Sequence, residues 1–311
     1  MKRSDPTIGV ALGGGSARGY AHIGALAALE RHGLAPQVVA GTSFGAVVGA
    51  LYAMRRTPAQ MEAQAAALRR RDVLPRVIDF GLFEAALFSG QRLEAYFDRL
   101  VEGRAFEDLD RTLVVVATDA DTGERVALRE GPLAPALRAS ASMPGVFAPV
   151  EHQGRRLIDG GIGTPVPVRS LDAFALDLKI GIGAGTDADD SGAIRWVVRA
   201  MEHPWGQGVH RALGRGGTGR LGSLARAVAW TMDGYADAPM TGASPAVEDV
   251  SDMEVHTRPP IHWLRFDRAE DAIRAGESAL DAAAPRLLAA LRDAVARGGP
   301  RAGAVTVVPA G

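Results

Sequence analysis

The chain has no cysteine, so disulfides, thiolate catalysis and cysteine-ligated metals are excluded together, and a reducing cytosol suits it. Lys2 and Lys179 are its only lysines. Positive charge is therefore almost wholly arginine, and a formal net charge of −1 lacks the basic excess of a nucleic-acid binder. Aromatic residues make up only 5%, which leaves the apolar bulk to Ala, Val and Leu. Long apolar runs are missing as well, since nothing approaches the roughly 20 residues of a spanning helix. Behind the basic Met1–Pro6 stretch, the apolar run Ile8–Leu12 is too short for a signal-peptide core. These absences lead us to expect a soluble, cytoplasmic protein without a nucleic-acid partner.

What is present is an alternation. A length of 311 residues allows one large domain or two small ones with a sizeable core. Ile8–Leu12 reads as a strand, Ala17–His32 as a helix, Gln37–Ala40 as a buried strand and Ala46–Met54 as a packed helix. This β-α-β-α order points to an α/β fold with a parallel sheet. Helices are expected at 58–71, 91–100 and 132–139. The β-branched run Thr112–Thr118 suits a strand buried on both faces. Further strands are expected at 125–129, 155–158, 176–182 and 261–264. A helix over 270–296 is expected to be interrupted at Pro285, and the tail from 298 to be loose.

Three glycine-bearing segments carry the chemistry. Gly41-Thr42-Ser43-Phe44-Gly45 lies between a strand and a helix, the setting of a nucleophile elbow. The sharp turn needs tiny residues two before and two after the serine, and it lifts a hydroxyl onto a helix N-terminus. Gly13-Gly14-Gly15-Ser16-Ala17-Arg18-Gly19 follows a strand, and its backbone N–H groups suit a phosphate or an oxyanion. Its spacing departs from a dinucleotide loop, and the next strand ends in the elbow rather than in an acidic residue. Asp159-Gly160-Gly161, taken alone, is a hairpin turn. A serine needs a base, and the residues alone leave it unassigned. His256 and His262 are the positional candidates for a late histidine, whereas His22 reads as packed or surface. Asp119 and Asp121 read as turn formers.

In this order the three segments resemble those of the patatin-like phospholipase family. Ala117-Thr118-Asp119 with Thr122-Gly123, Ala139–Phe147, and Asp159-Gly160-Gly161-Ile162 followed by Pro165–Val168 are similar to further stretches of that family. The resemblance implies a three-layer α/β fold with a central, mostly parallel sheet flanked by helices. It implies a Ser43–Asp159 dyad without histidine, metal or cofactor, acting on lipid or acyl-ester substrates with transient membrane-surface contact. Gly13, Gly14, Gly15, Ser16, Arg18 and Gly19 would form the oxyanion loop, with Arg18 steadying it or meeting an anionic headgroup. Gly41 and Gly45 would shape the elbow, and Gly160 and Gly161 the acid loop. Ser140 and Ser142 would line the pocket. The expected organisation is a catalytic core over 7–185, an irregular or lid-like insertion over 186–260, a returning strand and helix over 261–297, and a tail over 298–311. The stretches 236–255 and 82–88 are candidate lids or membrane-facing edges, and 82–88 suits ordinary core equally. A non-catalytic anion- or nucleotide-binding protein, or a regulatory one, is the alternative.

Overall fold

Alternating residues along the central strands face two different cores, as a pleated strand requires. Val10 and Leu12, Val39, and Leu113, Val115 and Ala117 belong to one core. Ala11, Val38 and Ala40, and Val114 and Val116 belong to the other. The structure is a computed structural model that describes residues 6–67, 80–83, 86–185, 253–262, 265–297 and 306–308. Expectations for 186–252 and 263–264, including most of the lid-like stretch, lie outside the described residues.

The main sheet is assembled from β1 (Ile8–Leu12), β2 (Val38–Thr42), β5 (Thr112–Asp119), β6 (Arg125–Leu128), β8 (Val150–His152), β9 (Arg155–Asp159), β10 (Leu178–Gly183), β11 (Met253–His256) and β12 (Thr306–Val308). Its order is β12-β11-β10-β1-β2-β5-β9-β8, with β6 also paired to β5. Strands β12 through β5 in that order run parallel. The pairs β5–β6, β5–β9 and β8–β9 are antiparallel. A small second sheet joins β3 (Phe80–Phe83), β4 (Ala86–Phe88) and β7 (Gly145–Phe147). The helices are α1 (Ala21–Arg31), α2 (Phe44–Ala53), α3 (Pro58–Ala67), α4 (Gln91–Leu100), α5 (Leu133–Ser140) and α6 (Ala269–Arg297). Residues from α1, α2, α4, α5 and α6 fill the larger core, while Val168, Leu171 and Leu176 cover the smaller one. The result is a mostly parallel central sheet flanked by helices. No helix among the described residues is long and apolar enough to cross a membrane.

Strand β1 lies between β10 and β2, so the chain leaves it in one direction and returns on the other side. The crevice beyond the carboxyl ends at such a reversal is where open α/β sheets place ligands. Both the loop after β1 and the turn after β2 open there.

Four expectations need correction. The returning strand is Met253–His256, and the described part of the expected 261–264 strand, Ile261 and His262, is not in a strand. Pro259 and Pro260 lack N–H groups, and the Ile261 N–H is taken by Pro259 O in a tight turn. The tail contributes β12, paired in parallel to β11. Helix α6 runs through Pro285 without interruption, because that residue is exposed and the carbonyl it leaves unbonded, that of exposed Asp281, faces solvent. Finally, the helix expected from Ala17 begins as a 3-10 turn, Ser16–Tyr20, and becomes α-helical at Ala21.

Helices α1 and α6 cross backbone to backbone. A Cβ added at Gly24 would stand 1.9 Å from Ile273 O, and one at Gly276 would stand 1.8 Å from Ala21 O. Helix propensity alone predicts that Gly→Ala stabilises a helix interior. Here the sign reverses: Gly24→Ala and Gly276→Ala should each destabilise by about 1–3 kcal/mol. Urea unfolding would check this, and an unchanged or higher midpoint would refute the close crossing.

Candidate active site

The turn after β2 is forced by what surrounds it. Ser43 adopts φ 52° and ψ −123°, a region that costs a non-glycine residue on the order of 1–3 kcal/mol. A Cβ at Gly41 would lie 2.5 Å from Ala46 Cα, and one at Gly45 would lie 2.3 Å from Leu12 O. Neither position admits a side chain without moving backbone, so both elbow glycines are explained by close approach.

The register brings the acid to the serine. Thr42 pairs with Val116 and Ala117 pairs with Asp159, so Ser43 and Asp159 flank β5 at nearly the same level. Directly paired antiparallel residues share a face, and Ala117 lies in the core beneath α2. Asp159 therefore points to the side on which α2 begins. Two strand spacings, about 10 Å, are spanned because the elbow carries Ser43 out of the ladder. The Ser43 hydroxyl donates to Asp159 Oδ2 at 2.8 Å, while the Gly161 N–H donates to Oδ1 at 2.8 Å. Gly160 passes so close to Val116 O that a Cβ would stand 2.1 Å away.

Asp159 is 6% exposed. Burial pushes its carboxyl up from 3.8 to about 6, against the downward pull of the Gly161 and Ser43 hydrogen bonds. Desolvation of the anion is the larger effect.

The glycine-rich loop divides into anchors and free donors. Gly13 N–H donates to Ile182 O and Gly14 N–H to Pro165 O. Arg18 N–H closes the turn on Gly15 O. These three amides are therefore committed within the fold, which narrows the expected oxyanion set. The N–H groups of Gly15 and Ser16 have no partner among the described residues. A Cβ at Gly14 would lie 3.7 Å from Ser43 Cβ, so the loop faces the serine. Gly19 lies against the Phe44 ring, which also meets Tyr20 edge-on at 4.8 Å. The Arg18 guanidinium donates to Ile261 O at 2.8 Å and Gly185 O at 3.1 Å, so it steadies the loop.

His256 is paired with Glu254 at 3.2 Å rather than with Ser43, and His262 is exposed. His22 is fully buried and sits 2.8 Å from Gly13 O. Burial pushes its imidazole down to about 4, so the neutral ring donates from Nε2 to that carbonyl and fixes the loop. Asp119 accepts from the N–H groups of Asp121 and Thr122, which is the turn-forming role expected of it. Ser140 and Ser142, expected to line the pocket, have no exposed surface: the Ser140 hydroxyl oxygen accepts the Ser43 N–H at 2.8 Å, and Ser142 Oγ accepts from Arg138. Sequence reasoning missed Arg138, a buried cation whose guanidinium donates to Gly90, Ser89 and Ala148 carbonyls. Its only signal was a place directly before the Ala139–Phe147 segment. Among the described residues no cluster of His, Asp and Glu could hold a metal ion.

A family model of the patatin-like phospholipases matches residues 10–172. The chain belongs to the patatin-like phospholipase family. An uncharacterized NTE family protein of Mycobacterium tuberculosis is 36% identical over 205 residues, covering 64% of this chain and 56% of that protein. Human patatin-like phospholipase domain-containing protein 6 is 32% identical over 215 residues, covering 65% of this chain but 16% of the human one. The chain thus matches little more than half of the first relative's length and a small part of the second. VipD from Legionella pneumophila aligns over 91% of this chain and 67% of its own, at 13% identity and a TM-score of 0.41, too remote to bear on function.

A raised folded pKa means that native Asp159 holds its proton over a window, from 3.8 to about 6, in which the unfolded chain has lost it. Stability from this group is therefore fully present at low pH and is lost as pH rises through about 6. Asp159→Asn, which carries no charge to bury, should be more stable than wild type at pH 7–8, by on the order of 1–3 kcal/mol. The gap should shrink toward pH 4. Urea midpoints across that range would check it, and a gap independent of pH would contradict the cause assigned here.

Proposed function

We propose that this chain hydrolyses acyl esters of lipids through an acyl-serine intermediate, with Ser43 as nucleophile and Asp159 as general base. The observation that carries the reading is the 2.8 Å hydrogen bond from the Ser43 hydroxyl to Asp159 Oδ2, made between residues 116 positions apart. Family membership supports the reaction class, and the name of the human relative contains the word phospholipase.

In the first half-reaction Ser43 Oγ bonds to the ester carbonyl carbon while its proton passes to Asp159 Oδ2. The carbonyl oxygen becomes an oxyanion. The N–H groups of Gly15 and Ser16, without a partner among the described residues, and the start of α2 are the donors available to hold it, and the helix dipole adds to their field. Collapse breaks the bond to the leaving alkoxide, which takes the proton from Asp159. Water then attacks the acyl-serine, giving its proton to the same carboxylate, and the acid departs as the serine regains its hydrogen. A base that titrates near 6 is mostly ionised at neutral pH yet basic enough to accept a proton in the transition state. The catalytic unit in this proposal is 7–185 completed by the C-terminal strands and α6, and lipid substrates bring transient contact with a lipid surface.

The test uses a fluorophosphonate probe together with short- and long-chain p-nitrophenyl esters. Ser43→Ala should lose both labelling and hydrolysis. Asp159→Asn should lower kcat on the order of 10²–10⁴-fold. In wild type the acid limb of kcat/KM should rise with unit slope and level off above a pH of about 6. Labelling that survives Ser43→Ala would overturn the assignment, as would undiminished turnover by Asp159→Asn.

A further inference from the structure

The Ser43 N–H, turned out of the β ladder by the elbow, has one acceptor among the described residues, and it is a side chain. Ser140 Oγ accepts it at 2.8 Å and donates its own proton to Val116 O at 2.6 Å. That second bond leaves the hydroxyl lone pairs as the only groups it can turn toward Ser43. Ser140 has no exposed surface. It is the last residue of α5, where helical carbonyls lack intrahelical partners. The helix end and the residues just past it serve the acid loop instead: Ser140 O accepts the Gly160 N–H at 3.3 Å, and Ser142 O accepts the Asp159 N–H at 2.9 Å. Arg138 pins the same segment, bonding Ser142 Oγ and the carbonyls of Gly90 and Ala148. One short stretch thus grips both halves of the dyad, the serine through a hydroxyl and the aspartate through backbone.

We infer that Ser140 is a positioning residue for the reaction: its buried hydroxyl holds the Ser43 backbone in the strained geometry that aims Oγ at Asp159. This rests on the dyad reading above. Backbone contacts to Gly160 and Asp159 survive any side-chain change at 140, so a substitution there selectively loosens the serine. Ser140→Ala removes the acceptor and leaves the part-buried Ser43 N–H without it. Ser140→Cys keeps the shape but offers only a weak acceptor. Neither residue touches substrate, so binding should be spared while the chemical step suffers.

The experiment measures kcat and KM for a p-nitrophenyl ester, with each protein's concentration taken from fluorophosphonate titration so that only competent molecules count. Ser140→Ala should lower kcat about 10–100-fold with KM within about twofold, and Ser140→Cys should fall between it and wild type. Should Ser140→Ala fail to fold, Ser140→Cys carries the test, with a kcat reduced at unchanged KM. If kcat per titrated site stays within about twofold of wild type in the variants that fold, or if KM rises while kcat holds, the inference fails. Ser43→Ala in the same assay separates the two ideas. Residual labelling there sinks the dyad reading, whereas a dead Ser43→Ala beside fully active Ser140 variants sinks only this one.

Discussion

A carboxylate with 6% of its surface exposed can stay in a protein only if its environment replaces water. At Asp159 the replacements are one hydroxyl and one backbone N–H, fewer donors than water would supply to two carboxylate oxygens. The deficit appears as the raised proton affinity. The rest of the molecule is organised around that deficit. The β5–β9 pairing sets the height of Asp159, the elbow brings Ser43 to it, and the Gly160–Gly161 turn delivers the second donor. Move any of the three and the buried charge loses what little compensation it has.

For the reaction proposed above, the same deficit is the useful property. A solvated aspartate near 3.8 would be too weak a base to take a hydroxyl proton at neutral pH, while complete burial without donors would keep it protonated. Partial satisfaction places it between. The consequence is a site that is a thermodynamic liability, with strain at Ser43 and an ionised group poorly housed at Asp159. Stability must come from elsewhere, and the parallel sheet with its two cores and the close crossing of α1 on α6 are its sources. Such a division between a rigid scaffold and a destabilised centre is common in enzymes.

Much of this was legible in the residues. The strand–turn–helix setting of Gly41–Gly45 marks the elbow because only small residues fit there, and the close approaches at Ala46 and Leu12 O are the physical reason. The β-branched run of β5 announces a strand buried on both faces. Asp159 was different: Asp-Gly-Gly after a strand is a hairpin by local chemistry, and only the resemblance pointed to the acid. Its approach to Ser43 depends on a pairing 42 residues away with β5, which no local pattern encodes. The misplaced returning strand has a similar origin. Ile261-His262-Trp263-Leu264 has strand-like composition, yet two prolines precede it and divert the backbone at Ile261 into a turn, and Met253–His256 takes the place between β10 and β12.

Ser140 shows why positioning groups escape a reading of motifs. Its side chain does nothing chemically distinctive; a hydroxyl at a helix end is ordinary capping material. What singles it out is that the elbow breaks the β ladder and so turns a part-buried N–H away from any strand partner. Any fold that builds such an elbow at the edge of a core must supply an acceptor for that group. Here the supply comes from the element that also holds the Asp159 loop, so the orientation of the two residues is governed by one rigid piece. Coupling through α5 makes their separation less sensitive to motions of either loop, and a contact of 2.8 Å between distant segments needs that kind of shared support.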